Sequence, residues 1–76
     1  MGRKSKADEE RVANRIEALR TKIGMTRQEL ADLVEVHYQT IGYIERGEYS
    51  PSLVLALKIS KALGKKVEQV FMLEDK

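Results

Sequence analysis

Between His37 and Ile44 the chain carries no acidic or basic side chain, in a protein whose residues are 34% charged. That stretch holds Tyr38, Gln39, Thr40 and Tyr43, a set of hydroxyl, amide and aromatic groups. On a helix, Ile41 and Ile44 stand three apart and share the inner face, which leaves Tyr38, Gln39, Gly42 and Tyr43 outside. The chemistry such a face offers is hydrogen-bonded readout of base edges in a major groove. A glutamine amide can meet adenine through two bonds, and tyrosine rings can pack on thymine methyls. Cations for phosphates are expected around such a face, not within it. Two rings exposed on an uncharged helix call for a partner.

Other chemistries find no foothold. Cysteine is absent, which removes disulfides, thiolate catalysis and cysteine-ligated zinc. His37 is the one histidine, so a histidine-built metal site has no second ligand of its kind. There is no nucleophile–base pair, phosphate-cradling glycine loop or metal-ligand spacing. The acids stand beside bases on helical faces, as solvated ion pairs do. The expectation is therefore a protein that is not an enzyme, with no cofactor, no metal and no small-molecule ligand. No apolar run approaches the roughly 20 residues that span a bilayer, and no signal peptide precedes the first helix; a cytoplasmic chain is expected.

With 76 residues there is room for one core, and a 42% hydrophobic content is that of a folded domain. The net charge of +2 is unevenly spread: residues 1–6 carry +3 through Arg3, Lys4 and Lys6, while residues 25–50 come to −3. We divide the chain into a basic arm (1–7), a folded body (8–73) and a short tail (74–76). Such an arm either orders on a polyanion or merely adds solubility.

The elements that must position the uncharged face are helical. Val12, Ile16, Leu19 and Ile23 form one stripe of a helix expected from Asp8 to Ile23, with Asp8, Glu9 and Glu10 in its first turn and Gly24 as its stop. Thr26 and Glu29 form a capping box that opens a short second helix carrying Leu30, Ala31, Leu33 and Val34. A third helix follows within a few residues, from Tyr38 to Arg46, ending at Gly47. Ser50 and Pro51 read as N-cap and first turn of a fourth helix, apolar almost all round and so expected at the centre. Val67, Val70 and Phe71 make a short fifth, with Met72 and Leu73 close behind. The expected fold class is all-α. Two short helices joined by a tight turn must cross steeply, and Ala31 is the small residue at the crossing.

The runs Thr26-Arg27-Gln28-Glu29-Leu30-Ala31, Gln39-Thr40-Ile41, Ile44-Glu45 and Ser50-Pro51-Ser52-Leu53, with Val36, Gly47 and Ala56-Leu57-Lys58-Ile59 at their spacing, resemble the Xre-type, lambda-repressor-like helix-turn-helix domain. The resemblance covers about residues 12–73. It implies a five-helix DNA-binding domain. It also implies base contacts from Tyr38, Gln39 and Tyr43, and phosphate contacts from Arg27, Gln28, Thr40, Arg46, Tyr49 and Ser50. Arg20 and Glu45 match a buried ion pair between the first and third helices. The chain departs from the family pattern at four places. Glu35 stands where the turn often has glycine, His37 where the recognition helix often has a serine or threonine cap, and Glu48 where a lysine often reaches phosphate. Gly42 lies inside a helix, at a cost of about 1 kcal/mol.

One recognition helix reads few base pairs, so the expected partner is double-stranded DNA with an inverted-repeat operator, bound by a homodimer acting as a transcriptional regulator, a repressor by preference. Val67, Val70, Met72 and Leu73 exceed what one small core can hide and are expected at the dimer interface. The alternative is an antitoxin or bridging module that uses the same fold to hold another protein.

Overall fold

Local sequence signals mark the helix ends in the computed structural model, which describes residues 11–74. The basic arm and the acidic first turn at Asp8, Glu9 and Glu10 lie outside those residues. The order is β1 (Val12–Asn14), α1 (Ile16–Lys22), α2 (Arg27–Val34), α3 (Tyr38–Glu45), α4 (Leu53–Leu63), α5 (Val67–Val70) and β2 (Phe71–Leu73). The Thr26 hydroxyl accepts from the Glu29 N–H at 3.0 Å, and the Glu29 carboxylate accepts from the Thr26 N–H at 2.9 Å, so the capping box forms in full.

The turn between α2 and α3 is tight because Glu35 adopts the left-handed conformation, with φ 64° and ψ 46°. That lets the Val36 N–H reach back to the Ala31 carbonyl at 3.0 Å. Ala31 is wholly buried. Around it Ile16, Leu30, Val34, Ile41, Ile44, Ile59 and Val70 close one core, each large side chain contributing about 1.5–3 kcal/mol.

Three sequence expectations need correction. The first helix starts at Ile16, not Asp8, because residues 12–14 pair antiparallel with β2: Val12 opposite Leu73, Ala13 opposite Met72, Asn14 opposite Phe71. Asn14 ends the helix upstream: its Oδ1 accepts from the Ile16 N–H at 3.1 Å, a cap-like bond that only a non-helical residue makes. The five helices stand, joined by a two-stranded ribbon that an all-α reading omits. Second, the cap of α4 is Ser52, whose Oγ accepts from the Leu55 N–H at 3.1 Å. Ser50 and Pro51 instead belong to the connecting loop. Third, α4 is not apolar-buried all round: Ala56, Ile59, Ser60 and Leu63 face the core, while Leu53, Val54 and Leu57 face solvent. Ile23, the C-cap of α1, also points outward.

Among the described residues no helix is long and apolar enough to cross a membrane.

Candidate nucleic-acid interface

The uncharged segment becomes α3, pinned by Ile41 and Ile44, which are both buried. His37 caps it: its Nδ1 accepts from the Gln39 N–H at 3.1 Å. An imidazole can do this only with Nδ1 unprotonated. The His37 ring also stacks on Tyr38, with centroids 4.8 Å apart. Tyr38, Gln39 and Tyr43 are exposed together on the outer face, and Thr40 is half-buried at its edge.

The end of α3 is held by charge. Glu45, its last residue, has a side chain only 2% exposed, against 9% for Arg20 and 42% for Arg27. Arg20 donates from Nε to Oε2 at 2.8 Å and from Nη2 to Oε1 at 3.2 Å. Its Nη1 donates to the Met25 carbonyl at 3.0 Å. Arg27 donates from Nε to the same Oε1 at 2.9 Å. One buried carboxylate thus joins α1, the start of α2 and the end of α3, and two guanidinium charges offset its desolvation. The hydrogen bond to Glu45, and then the Glu45 charge, raise the Arg27 pKa above its ordinary value. A raised base stays charged at every pH below that value, so Arg27 remains a cation throughout the working range.

Arg27 is therefore both a structural partner of Glu45 and a half-exposed cation beside α3. Gln28 lies next to it, its amide donating to Asp32 at 2.9 Å along α2. Arg27, Gln28 and Tyr38 share one shallow concavity. On the other side, a groove of about 370 Å³ runs between β1, the end of α3 and the following loop, with Arg46, Tyr49 and Ser50 on its walls. The residues expected at bases and phosphates thus fall on α3, on the start of α2 and on the loop after α3.

Two features escaped the sequence reading. Asn14 donates from Nδ2 to the Ile44 carbonyl at 2.9 Å, so β1 ties down the end of α3. The only signal was an asparagine in the middle of a supposed helix. Arg46 bonds to Glu48, from Nε at 3.2 Å and Nη2 at 3.4 Å, and its guanidinium lies 5.3 Å from the centre of the Tyr43 ring. Of the residues expected at a dimer surface, Val70 must be withdrawn. It is fully buried because the Arg15 N–H bonds its carbonyl at 2.9 Å and its side chain completes the core. Val67 and Met72 are half-buried, and Leu73 is 67% exposed.

A family model described as helix-turn-helix, HTH_3, matches residues 16–70, from the start of α1 to the end of α5. The chain belongs to the helix-turn-helix family. Within it, this helix-turn-helix protein is 47% identical over 62 residues to YgzD, an HTH-type transcriptional regulator of Bacillus subtilis, covering 82% of this chain and 94% of that one. An HTH-type transcriptional regulator of Archaeoglobus fulgidus is 44% identical over 61 residues, covering 80% and 87% of the two chains. Among solved structures, the restriction-modification controller protein C.AhdI from Aeromonas hydrophila superposes with a TM-score of 0.69 at 34% identity, covering 72% of this chain and 83% of that one. The fold is that of lambda-repressor-like helix-turn-helix proteins.

Proposed function

We propose that this helix-turn-helix protein is a transcriptional regulator, by preference a repressor, that binds an inverted-repeat operator in duplex DNA as a homodimer and reads the major groove with residues 38–46. The observation that carries the reading is the outer face of α3: Tyr38, Gln39 and Tyr43 exposed together with no charged side chain from His37 to Ile44, on a helix capped at one end and pinned at the other. Hydrogen-bonding groups held on a rigid helix are what base edges require. Arg27 and Arg46 flank that face and supply sequence-independent attraction to phosphate. Gln28, Thr40, Tyr49 and Ser50 add neutral donors along the same strand edges.

A second copy is supported by the apolar surface left in solvent: Leu73 at the end of the ribbon, and Leu53, Val54 and Leu57 on α4. Half-sites centred about 34 Å apart follow for a two-fold dimer. The DNA puts its place of action in the cytoplasm.

The test is selection of bound duplexes from a random pool, followed by titration of the selected site and of a random duplex at two salt concentrations. An inverted repeat should emerge, with steeply salt-dependent binding. Gln39→Ala should lower the ratio of selected to random affinity by about 5- to 150-fold, the equivalent of 1–3 kcal/mol. Absence of duplex binding at low salt would refute the reading.

A further inference from the structure

We propose that Glu48 is a built-in competitor of DNA phosphate: its carboxylate parks Arg46 across the recognition helix in the free protein, and operator binding exchanges that carboxylate for a phosphate. The proposal rests on the duplex-binding reading above.

The parked position has three contacts. Arg46 donates from Nε and Nη2 to the two oxygens of Glu48, the same two-point grip with which a guanidinium takes a phosphate. Its guanidinium lies against the Tyr43 ring at 5.3 Å. It also covers Gly42, which is buried although it lies on the face shared with Tyr38 and Tyr43. A Cβ built on Gly42 would meet Arg46 Nη1 at 3.2 Å, tighter than ordinary contact. Glycine at position 42 is thereby the floor under the folded-back arm, which accounts for an otherwise unfavourable residue inside a helix.

A guanidinium in that place stands between the middle of α3 and any base edge brought up to it. Seating α3 in a groove requires Arg46 to swing outward, and the nearest anion there is the DNA backbone. The bond it leaves is weak enough to release. At 3.2 and 3.4 Å it is at the long end of hydrogen-bond geometry, and both side chains are about half exposed to water. Glu48 therefore lowers affinity for every duplex alike, and it does so through Arg46.

That last clause separates the proposal from simple repulsion between Glu48 and DNA. Wild type, Glu48→Gln, Arg46→Gln and the double variant are titrated by fluorescence anisotropy against the selected operator and a random duplex at two salt concentrations. Both positions are on the surface, and circular dichroism checks the fold. Glu48→Gln should tighten both complexes by about two- to fivefold, the size of an exposed ion pair. Arg46→Gln should weaken both and flatten the salt slope by about one unit. In the Arg46→Gln background, Glu48→Gln should change affinity by less than about 1.5-fold, since the arm it restrains is gone. An equal gain in both backgrounds makes Glu48 a diffuse negative charge and overturns the proposal, as does no gain in the wild-type background. If none of the four proteins binds duplex, the duplex-binding reading fails and the proposal goes with it. Duplex binding by all four with no Glu48 effect fails the proposal alone.

Discussion

Replacing Glu45 by alanine removes the acceptor of three hydrogen bonds and the counter-charge of two arginines. Arg20, with a side chain 9% exposed, then keeps only the Met25 carbonyl as partner, and its charge stays in a place from which water is excluded. Breaking a buried pair on one side costs about 3–5 kcal/mol. The surviving bond to Met25 and the rehydration of half-exposed Arg27 put this case at the low end, about 3 kcal/mol. For a domain of this size that lowers the melting temperature by about 12–24 °C. A 76-residue chain has about 4–11 kcal/mol in total, so the variant should still fold. The assay is urea unfolding followed by circular dichroism, with the midpoint falling at constant slope. Arg27→Ala is the internal control. It leaves Glu45 paired with Arg20 and should move the midpoint far less. A loss below about 1 kcal/mol for Glu45→Ala, or equal losses for the two variants, would refute the reasoning that burial of Arg20 sets the cost.

Four further outcomes are expected. Glu35→Gly should stabilise the protein by about 1 kcal/mol, since the left-handed φ of 64° strains a residue that has a Cβ; an unchanged or lower unfolding midpoint would refute that account. His37→Ala should cost about 1 kcal/mol by removing the cap on α3, while His37→Ser should restore it, both read in the same urea titration. Val70→Ala should cost about 2–3 kcal/mol from lost burial and the cavity left behind. Leu73→Glu should leave monomer stability nearly unchanged but shift sedimentation toward the monomer; an unshifted distribution would place the dimer surface elsewhere.

Where a feature was carried by neighbours in sequence, it was legible. The Thr26–Glu29 box, the turn at Glu35 and the Gly24 stop of α1 each depend on residues within a turn of one another, and each stands as read. The uncharged face of α3 was visible for the same reason: a helix with two buried isoleucines leaves the rest of its residues outside. What the pattern misread depended on distant partners. Val12 fits the stripe of α1 at helical spacing, yet its backbone pairs with Leu73 at the other end of the chain, and periodicity alone carries no trace of that. Leu53, Val54 and Leu57 look like core because they are apolar; which side of α4 faces the core is settled by its packing against α2. The double role of Arg27 was hidden likewise, since Glu45 lies eighteen residues away.

The ribbon at the chain ends has a mechanical consequence. Leu73 pairs with Val12, and two residues further along β1 the Asn14 amide grips the last turn of α3 through the Ile44 carbonyl. The path from exposed Leu73 to α3 is thus short, through the pairing of β1 with β2 and the Asn14–Ile44 hydrogen bond. A second subunit that took hold of Leu73 would hold α3 by a lever of fixed length. Operator spacing would then be set by the stiffness of three strand residues and one asparagine, and a variant that loosened Asn14 would blur that spacing while leaving the contacts to each half-site intact.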